Sequence, residues 1–148
     1  MFSQNALTIR RLVLAMIALH FAIVVFHSVA HEVLPVKATP AQLAFIIPVI
    51  IVAPLVAGFM LQRSNKAGMV LAAASMFGSF VFGLYYHFIA DTIDHVDHVA
   101  RMQPPFWTQM FQITAYLLAL TEIAGALLAM MLLVQAQSLK HHATRTGF

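Results

Sequence analysis

Residues 67–98 read AGMVLAAASMFGSFVFGLYYHFIADTIDHVDH, and this stretch decides how the rest of the chain is expected to fold. Its first two thirds are almost entirely apolar and lack the alternation of a strand. Such a run is long enough to cross a bilayer as an α-helix, which takes about 20 apolar residues. The run then passes directly into a segment rich in histidine and aspartate, so a hydrophobic helix is predicted to end in side chains of the metal-ligand type.

The composition of the whole chain points to lipid as its surroundings. Hydrophobic residues make up 61% of the 148 residues and charged residues only 9%, whereas a soluble domain carries about 25% charged residues. Only helices and closed barrels satisfy their backbone groups in lipid. The sequence therefore predicts an all-α fold, an integral membrane four-helix bundle that forms a single transmembrane domain. Its helices are expected at about residues 12–34, 41–61, 67–98 and 108–135, followed by a flexible cytoplasmic tail over residues 136–148.

Basic side chains are concentrated at one side of the predicted bundle, in the segments that hold Arg10, Arg11, Arg63, Lys66, Lys140 and Arg145. The positive-inside rule therefore predicts that both termini are cytoplasmic, in what we expect to be a bacterial inner (plasma) membrane. The chain has no basic stripe or RNA-binding pattern, so we expect no nucleic-acid partner. We expect the lipid bilayer as its partner and, because small-residue faces let helices approach closely, a homodimer or a larger membrane complex.

A stripe of small residues on the third predicted helix leads to ligand-type side chains. From position 75 onward it recurs every four residues, which keeps it on one face of a helix. Small residues let neighbouring helix backbones approach closely in a membrane. The face expected to pack most closely is therefore also the face that carries histidine and aspartate: Ala72, Ser75, Ser79, Gly83, His87 and Asp91.

The first predicted helix carries a matching stripe of histidines, His20, His27 and His31. With a rise of about 1.5 Å per residue, His27 and His31 reach the same depth as His87, at the periplasmic end. Imidazole and carboxylate are ligands for zinc, iron and copper, and the absence of cysteine leaves only nitrogen and oxygen ligands. We predict a transition-metal site (zinc, iron or copper) formed by His27, His31, His87 and Asp91, with Asp94, His95 and His98 as further ligands or as hydrogen-bonding partners of the ligands.

Two further polar residues fall near the middle of the membrane. His20 on the first helix and Glu122 on the fourth are expected at equal depth, and polar groups in lipid face the bundle interior and pair. We interpret them as an intramembrane polar pair. Such a pair either relays protons, or serves as a second ligand set, or holds the two helices together by a hydrogen bond.

Three functions fit this pattern. The first is a small multi-pass membrane protein with a metal site at the outer, periplasmic face, acting either as a membrane metalloenzyme or as a redox subunit. The second is an electron-transfer subunit that binds haem b between one histidine on each of two helices, such as His27 and His87. The third is a structural or accessory subunit of a larger membrane complex with no cofactor of its own.

Overall fold

The computed structural model describes residues 4–63 and 66–145, with side chains described up to residue 138. Within these ranges the chain is all-helical. The helices are α1 (Gln4–Val33), α2 (Pro40–Gln62), α3 (Lys66–Ile89), α4 (Val96–Val99) and α5 (Pro105–Arg145).

Four helices in the described part of the chain are long and apolar enough to cross a membrane: α1, α2, α3 and the residues of α5 up to Ser138. Many of their large side chains are exposed, among them Phe26, Phe59 and Leu120. Such a surface suits a lipid environment, because hydrocarbon tails are as apolar as these side chains. The prediction of an all-helical chain with four potential membrane-spanning helices is confirmed.

The four long helices pack in the order α1–α5–α3–α2 around the bundle. The second half of α2, Ala53–Gln62, closes the ring against α1. Helices α1 and α3 therefore lie diagonally opposite each other, and they meet mainly through side chains that reach across the core. We call the end at which α1 finishes and α2 starts the histidine end, and the opposite end the basic end.

Separate apolar clusters close the two ends of the bundle. At the basic end, Val13, Leu61, Met69 and Leu132 are buried among small residues of α2, α3 and α5. At the histidine end, α4 folds over the bundle and buries side chains against α5: Ala30, Leu34, Val36, Val96, Val99, Phe111 and Ala115. The buried side chains of His20 and Glu122 lie between these two apolar clusters.

Helix α2 is irregular at mid-length, where Ile46–Val52 is π-helical. Pro54 has no backbone N–H, so the carbonyl of Ile50 loses the donor that an α-helix would supply. A freed carbonyl in an apolar interior needs another donor. His20 of α1 supplies it, since its Nε2 lies 2.9 Å from the Ile50 oxygen.

The third long helix ends earlier than the sequence indicated. It finishes in a π-helical turn, Tyr85–Ile89, and Ala90 takes extended backbone angles. The expected helix over residues 67–98 is therefore wrong beyond residue 89. One reason is local: the Thr92 hydroxyl donates to the carbonyl of Tyr86 at 3.2 Å, and such side-chain bonds compete with helix continuation.

The outer limits of the first and last helices also differ from expectation. Helix α1 starts at Gln4 rather than near residue 12, and α5 continues to Arg145. Residues 136–145 of the expected flexible tail are therefore helical, in keeping with the good helix formers Gln, Ala, Leu and Lys in this segment. The last part of that expected tail, residues 146–148, lies outside the described residues.

Candidate metal centre

Three histidine rings meet inside the histidine end of the bundle. The Nε2 atom of His27 lies 3.2 Å from Nε2 of His31 and 3.3 Å from Nε2 of His87. One ligand atom from each ring lies within 4.8 Å of the others. His27 and His87 are buried and His31 is half-buried. We call these three residues the histidine cluster.

The helices explain this convergence. His27 and His31 are four residues apart, so both project from one face of α1. His87 comes from the last turn of α3, on the other side of the core. Phe111 of α5 lies beside all three rings, with centroid distances of 4.6, 4.9 and 5.2 Å. This fully buried ring fills the space around the cluster and limits how far each imidazole can move.

The outward-facing nitrogens of two rings are held by backbone carbonyls. Nδ1 of His31 lies 2.8 Å from the oxygen of Val36, and Nδ1 of His87 lies 3.1 Å from the oxygen of Asp94. A carbonyl only accepts hydrogen bonds, so each Nδ1 carries the proton and donates it. In a neutral ring the other nitrogen, Nε2, then has a free lone pair.

The ring of His27 also donates from Nδ1, in this case to a threonine hydroxyl. The Thr114 hydroxyl donates its one proton to the Met110 carbonyl at 2.6 Å. Its oxygen therefore accepts the bond from Nδ1 of His27, at 2.8 Å. All three Nε2 atoms thus point lone pairs at one another, without a donor among them while the rings are neutral.

Three facing acceptors are satisfied by a cation. Tetrahedral coordination with bonds of about 2.0–2.1 Å places neighbouring ligand atoms about 3.3–3.4 Å apart. The two Nε2 separations at His27 agree with that edge length. Metal-binding histidines usually donate their other ring N–H to a carbonyl or a similar acceptor, as all three rings do here.

Asp94 contributes to this site through its backbone. Its carbonyl accepts from His87, while its buried carboxyl group accepts from Nε2 of Gln42 at 3.1 Å. Gln42 belongs to a capping box with Thr39 at the start of α2. The bond between Gln42 and Asp94 therefore ties the loop after α3 to α2 and sets the position of the carbonyl that orients His87.

The other predicted ligands lie at the surface, because α3 ends before them. His98 Nε2 is 3.2 Å from the exposed carboxylate of Asp91, and His98 Nδ1 donates to the Thr92 carbonyl at 2.7 Å. His95 Nδ1 accepts from the backbone of Asp97 at the start of α4. Among the described residues, the group with metal-ligand spacing is His27, His31 and His87, without these residues.

A cavity of about 190 Å³ runs inward from the histidine cluster. All three cluster residues line it, as do Ser79, Gly83 and Glu122 farther in. Near its mouth it is bordered by Glu32 and Leu43, which are exposed. The histidine cluster therefore borders a space that could hold water or a small molecule.

Glu122 of the predicted polar pair lines this cavity, and His20 lies beside Glu122. Nδ1 of His20 is 3.4 Å from Oε1 of Glu122, and the two side chains are 1% and 3% exposed. Between this pair and the histidine cluster lies Gly83, where the absence of a side chain leaves the gap open. A Cβ there would be 3.8 Å from Oε2 of Glu122 and 3.9 Å from Cδ2 of His87.

Sequence reasoning missed the residues that orient the three rings. Thr114, Phe111 and the carbonyls of Val36 and Asp94 were not singled out. Thr114 and Phe111 lie three residues apart and so share one face of α5, which is a signal that helical periodicity could have found. The two carbonyls have no signal in the sequence, because every residue carries one.

Comparison of the chain with protein-family models, with curated proteins and with solved structures found no match. The fold and the site define a class of protein: it is all-helical, with four helices long and apolar enough to cross a membrane, and it contains a cluster of three histidines in its interior.

Proposed function

We propose that this chain is a small multi-pass membrane protein that holds a transition-metal ion on His27, His31 and His87. The observation that carries the proposal is the convergence of three Nε2 lone pairs, two of whose separations (His27–His31 and His27–His87) match the spacing of neighbouring ligands in a tetrahedral site. The fixed Nδ1–H bonds support it, since they hold every ring in the form that binds a metal.

Three protein ligands leave a coordination position open. Catalytic zinc sites have this form, with water or substrate as the fourth ligand, whereas structural zinc sites are closed by four protein ligands. The cavity beside the cluster provides room for that fourth ligand. We therefore favour a membrane metalloenzyme over a purely structural metal site.

The ligand set narrows the choice of metal. Imidazole suits zinc, copper and iron, whereas magnesium and calcium prefer oxygen ligands. An all-nitrogen site of three imidazoles is therefore proposed for zinc, iron or copper.

Elemental analysis of the protein purified from membranes tests the proposal. We expect about one transition-metal ion per chain in the wild type, since the site has a single centre, and loss of the ion in His27→Ala and His87→Ala. His98→Ala is the matched control, because His98 lies at the same end but outside the cluster, and it should keep the ion. A wild-type protein without stoichiometric metal would overturn the proposal.

The geometry favours an ion over haem b. In a bis-histidine haem the two axial imidazoles lie on opposite faces of the macrocycle. Here His31 approaches His27 as closely as His87 does, so a third ring stands where a macrocycle would pass. A visible absorption spectrum separates the alternatives, because a Soret band in the purified protein would establish haem.

We also propose that the histidine end faces the periplasm and the basic end the cytoplasm. The exposed side chains of Arg11, Arg63 and Lys66 at the basic end support this orientation. The chain has no cysteine, so single cysteines can report it. An impermeant maleimide should label Gln103→Cys in intact cells and Gln62→Cys only after lysis. The reverse pattern would invert the proposed orientation.

A further inference from the structure

The His20–Glu122 pair contains a buried ring nitrogen that lacks a hydrogen-bond partner. Nε2 of His20 donates to the Ile50 carbonyl that Pro54 leaves free, so Nδ1 has no proton in the neutral ring. This Nδ1 is buried without a hydrogen-bond partner and faces Oε1 of Glu122 at 3.4 Å. A ring nitrogen lone pair and a carboxylate oxygen are both acceptors.

Two facing acceptors become partners when they share one proton. With that proton, the pair is a neutral acid beside a neutral imidazole, because the alternative, a carboxylate beside an imidazolium, would bury two charges in an apolar interior. Without it, a negative charge stands unpaired in an apolar interior, which is costly. The pair therefore holds one proton besides the one on Nε2 as long as no other positive charge is near.

A metal ion bound at the histidine cluster would bring a positive charge close to this pair. Glu122 lines the same cavity as the three cluster residues. Its Oε2 and the ring of His87 both lie within 4 Å of the point where Gly83 would carry a Cβ. The pair faces the Ile50 carbonyl from α2 and, from α3, Gly83 with His87 beyond it. Three neutral imidazoles bring no negative charge to a divalent ion.

We propose that binding of a divalent metal ion at the histidine cluster displaces the proton held by the His20–Glu122 pair, so that metal loading releases one proton. This inference rests on the proposed function. The O–H bond of the Glu122 carboxyl group breaks, its electron pair stays on the carboxylate, and the proton leaves to solvent. His20 keeps its Nε2 proton on the Ile50 carbonyl. The charge of the interior then rises by one unit rather than two.

The Glu122→Gln variant removes the proton that can be released but keeps the hydrogen bond to His20. The amide of glutamine donates to Nδ1 of His20 in place of the carboxyl group, and it has no proton to release. The binding constant for Zn²⁺ is measured at several pH values above about 7, where free imidazole is mostly neutral. Released protons make metal affinity depend on pH. The wild-type constant should rise with pH about tenfold more per unit than that of Glu122→Gln.

Glu32→Gln is the matched control, because Glu32 is an exposed carboxylate at the mouth of the same cavity, paired with Lys37. It should keep the wild-type pH dependence. Equal pH dependence in wild type and Glu122→Gln would overturn the coupling and leave the metal site standing. Equal loss of dependence in Glu32→Gln would also overturn it, since the proton would come from the cavity mouth. A wild type that binds no Zn²⁺ would overturn both the coupling and the proposed function.

A second measurement uses the wild type alone and covers the case in which Glu122→Gln fails to fold. The infrared C=O band of a protonated carboxyl group should be present in the metal-free protein and should disappear when Zn²⁺ is added. A band that persists at full Zn²⁺ loading would overturn the inference.

Discussion

Histidines occur in two settings at the histidine end, and the two settings differ in what each ring nitrogen faces. In the histidine cluster, every Nδ1 is bonded to a fixed acceptor and every Nε2 faces another Nε2. In the surface group, which consists of Asp91, His95, Asp97 and His98, ring nitrogens face carboxylates or backbone groups beside solvent.

The comparison shows that residue type does not make the site. Both settings contain the residues that bind transition metals, but ion pairs at a surface contribute little because water screens them. Burial makes the unsatisfied lone pairs of the cluster costly. A cation removes that cost, and this is why the cluster rather than the surface group is the candidate metal centre.

The largest effect should separate the two settings directly. His31→Ala removes one of three ligands and should weaken Zn²⁺ binding by more than about 100-fold, beyond the range seen for lost partners of ligands. A variant with His95→Ala and His98→Ala together should bind Zn²⁺ as the wild type does. Competition with a chelator of known affinity measures both. Loss of binding in the double variant alone would move the site to the surface group.

A smaller effect should follow from loosening one ring of the cluster. Thr114→Val keeps the shape of the side chain but leaves Nδ1–H of His27 without an acceptor, so the ring no longer holds its metal-binding form. Zn²⁺ affinity should fall about 10–100-fold. Thr114→Ser restores the hydroxyl and should restore the affinity. If the valine and serine variants bind equally, the Thr114 bond has no part in the site.

The smallest effect is expected at Asp94, which the sequence grouped with the surface residues but whose carbonyl orients His87 of the cluster. Asp94→Asn keeps the backbone carbonyl that accepts from His87, and the amide oxygen can still accept from Gln42. Zn²⁺ affinity should therefore change by well under tenfold, less than for a lost partner of a ligand. Isothermal calorimetry of the two proteins in detergent measures the change. A loss as large as that of His31→Ala would show that the Asp94 carboxyl group is itself a ligand.

The positions of the four long apolar helices were predictable from the chain by a simple rule for backbone groups in lipid. Backbone groups in hydrocarbon must bond within a helix, so a long apolar run such as residues 67–89 has one solution. The point where α3 ends was not predictable in the same way. Ala90 takes extended backbone angles, and the Thr92 side chain offers the helix backbone another partner.

The candidate metal site also has residues that the sequence predicted and residues that it did not. His27, His31 and His87 could be selected because helical spacing sets which side chains share a face and a depth. Asp91 and His98 were grouped with them on the assumption that α3 continues, and the early end of the helix places them at the surface. Helical periodicity shows that Phe111 and Thr114 share one face of α5, but no pattern in α1 or α3 indicates that this face meets the cluster.

The sequence by itself determined the number of helices long and apolar enough to cross a membrane, and it indicated that His20 pairs with Glu122. These features follow from hydrophobicity and from the fixed rise of a helix, which are properties of one segment at a time. Only the tertiary structure decided that α1 and α3 face each other across a diagonal, and that each Nδ1 of the cluster has its own acceptor. The direction of a ring depends on backbone and side-chain groups from other segments, and packing alone brings those groups together.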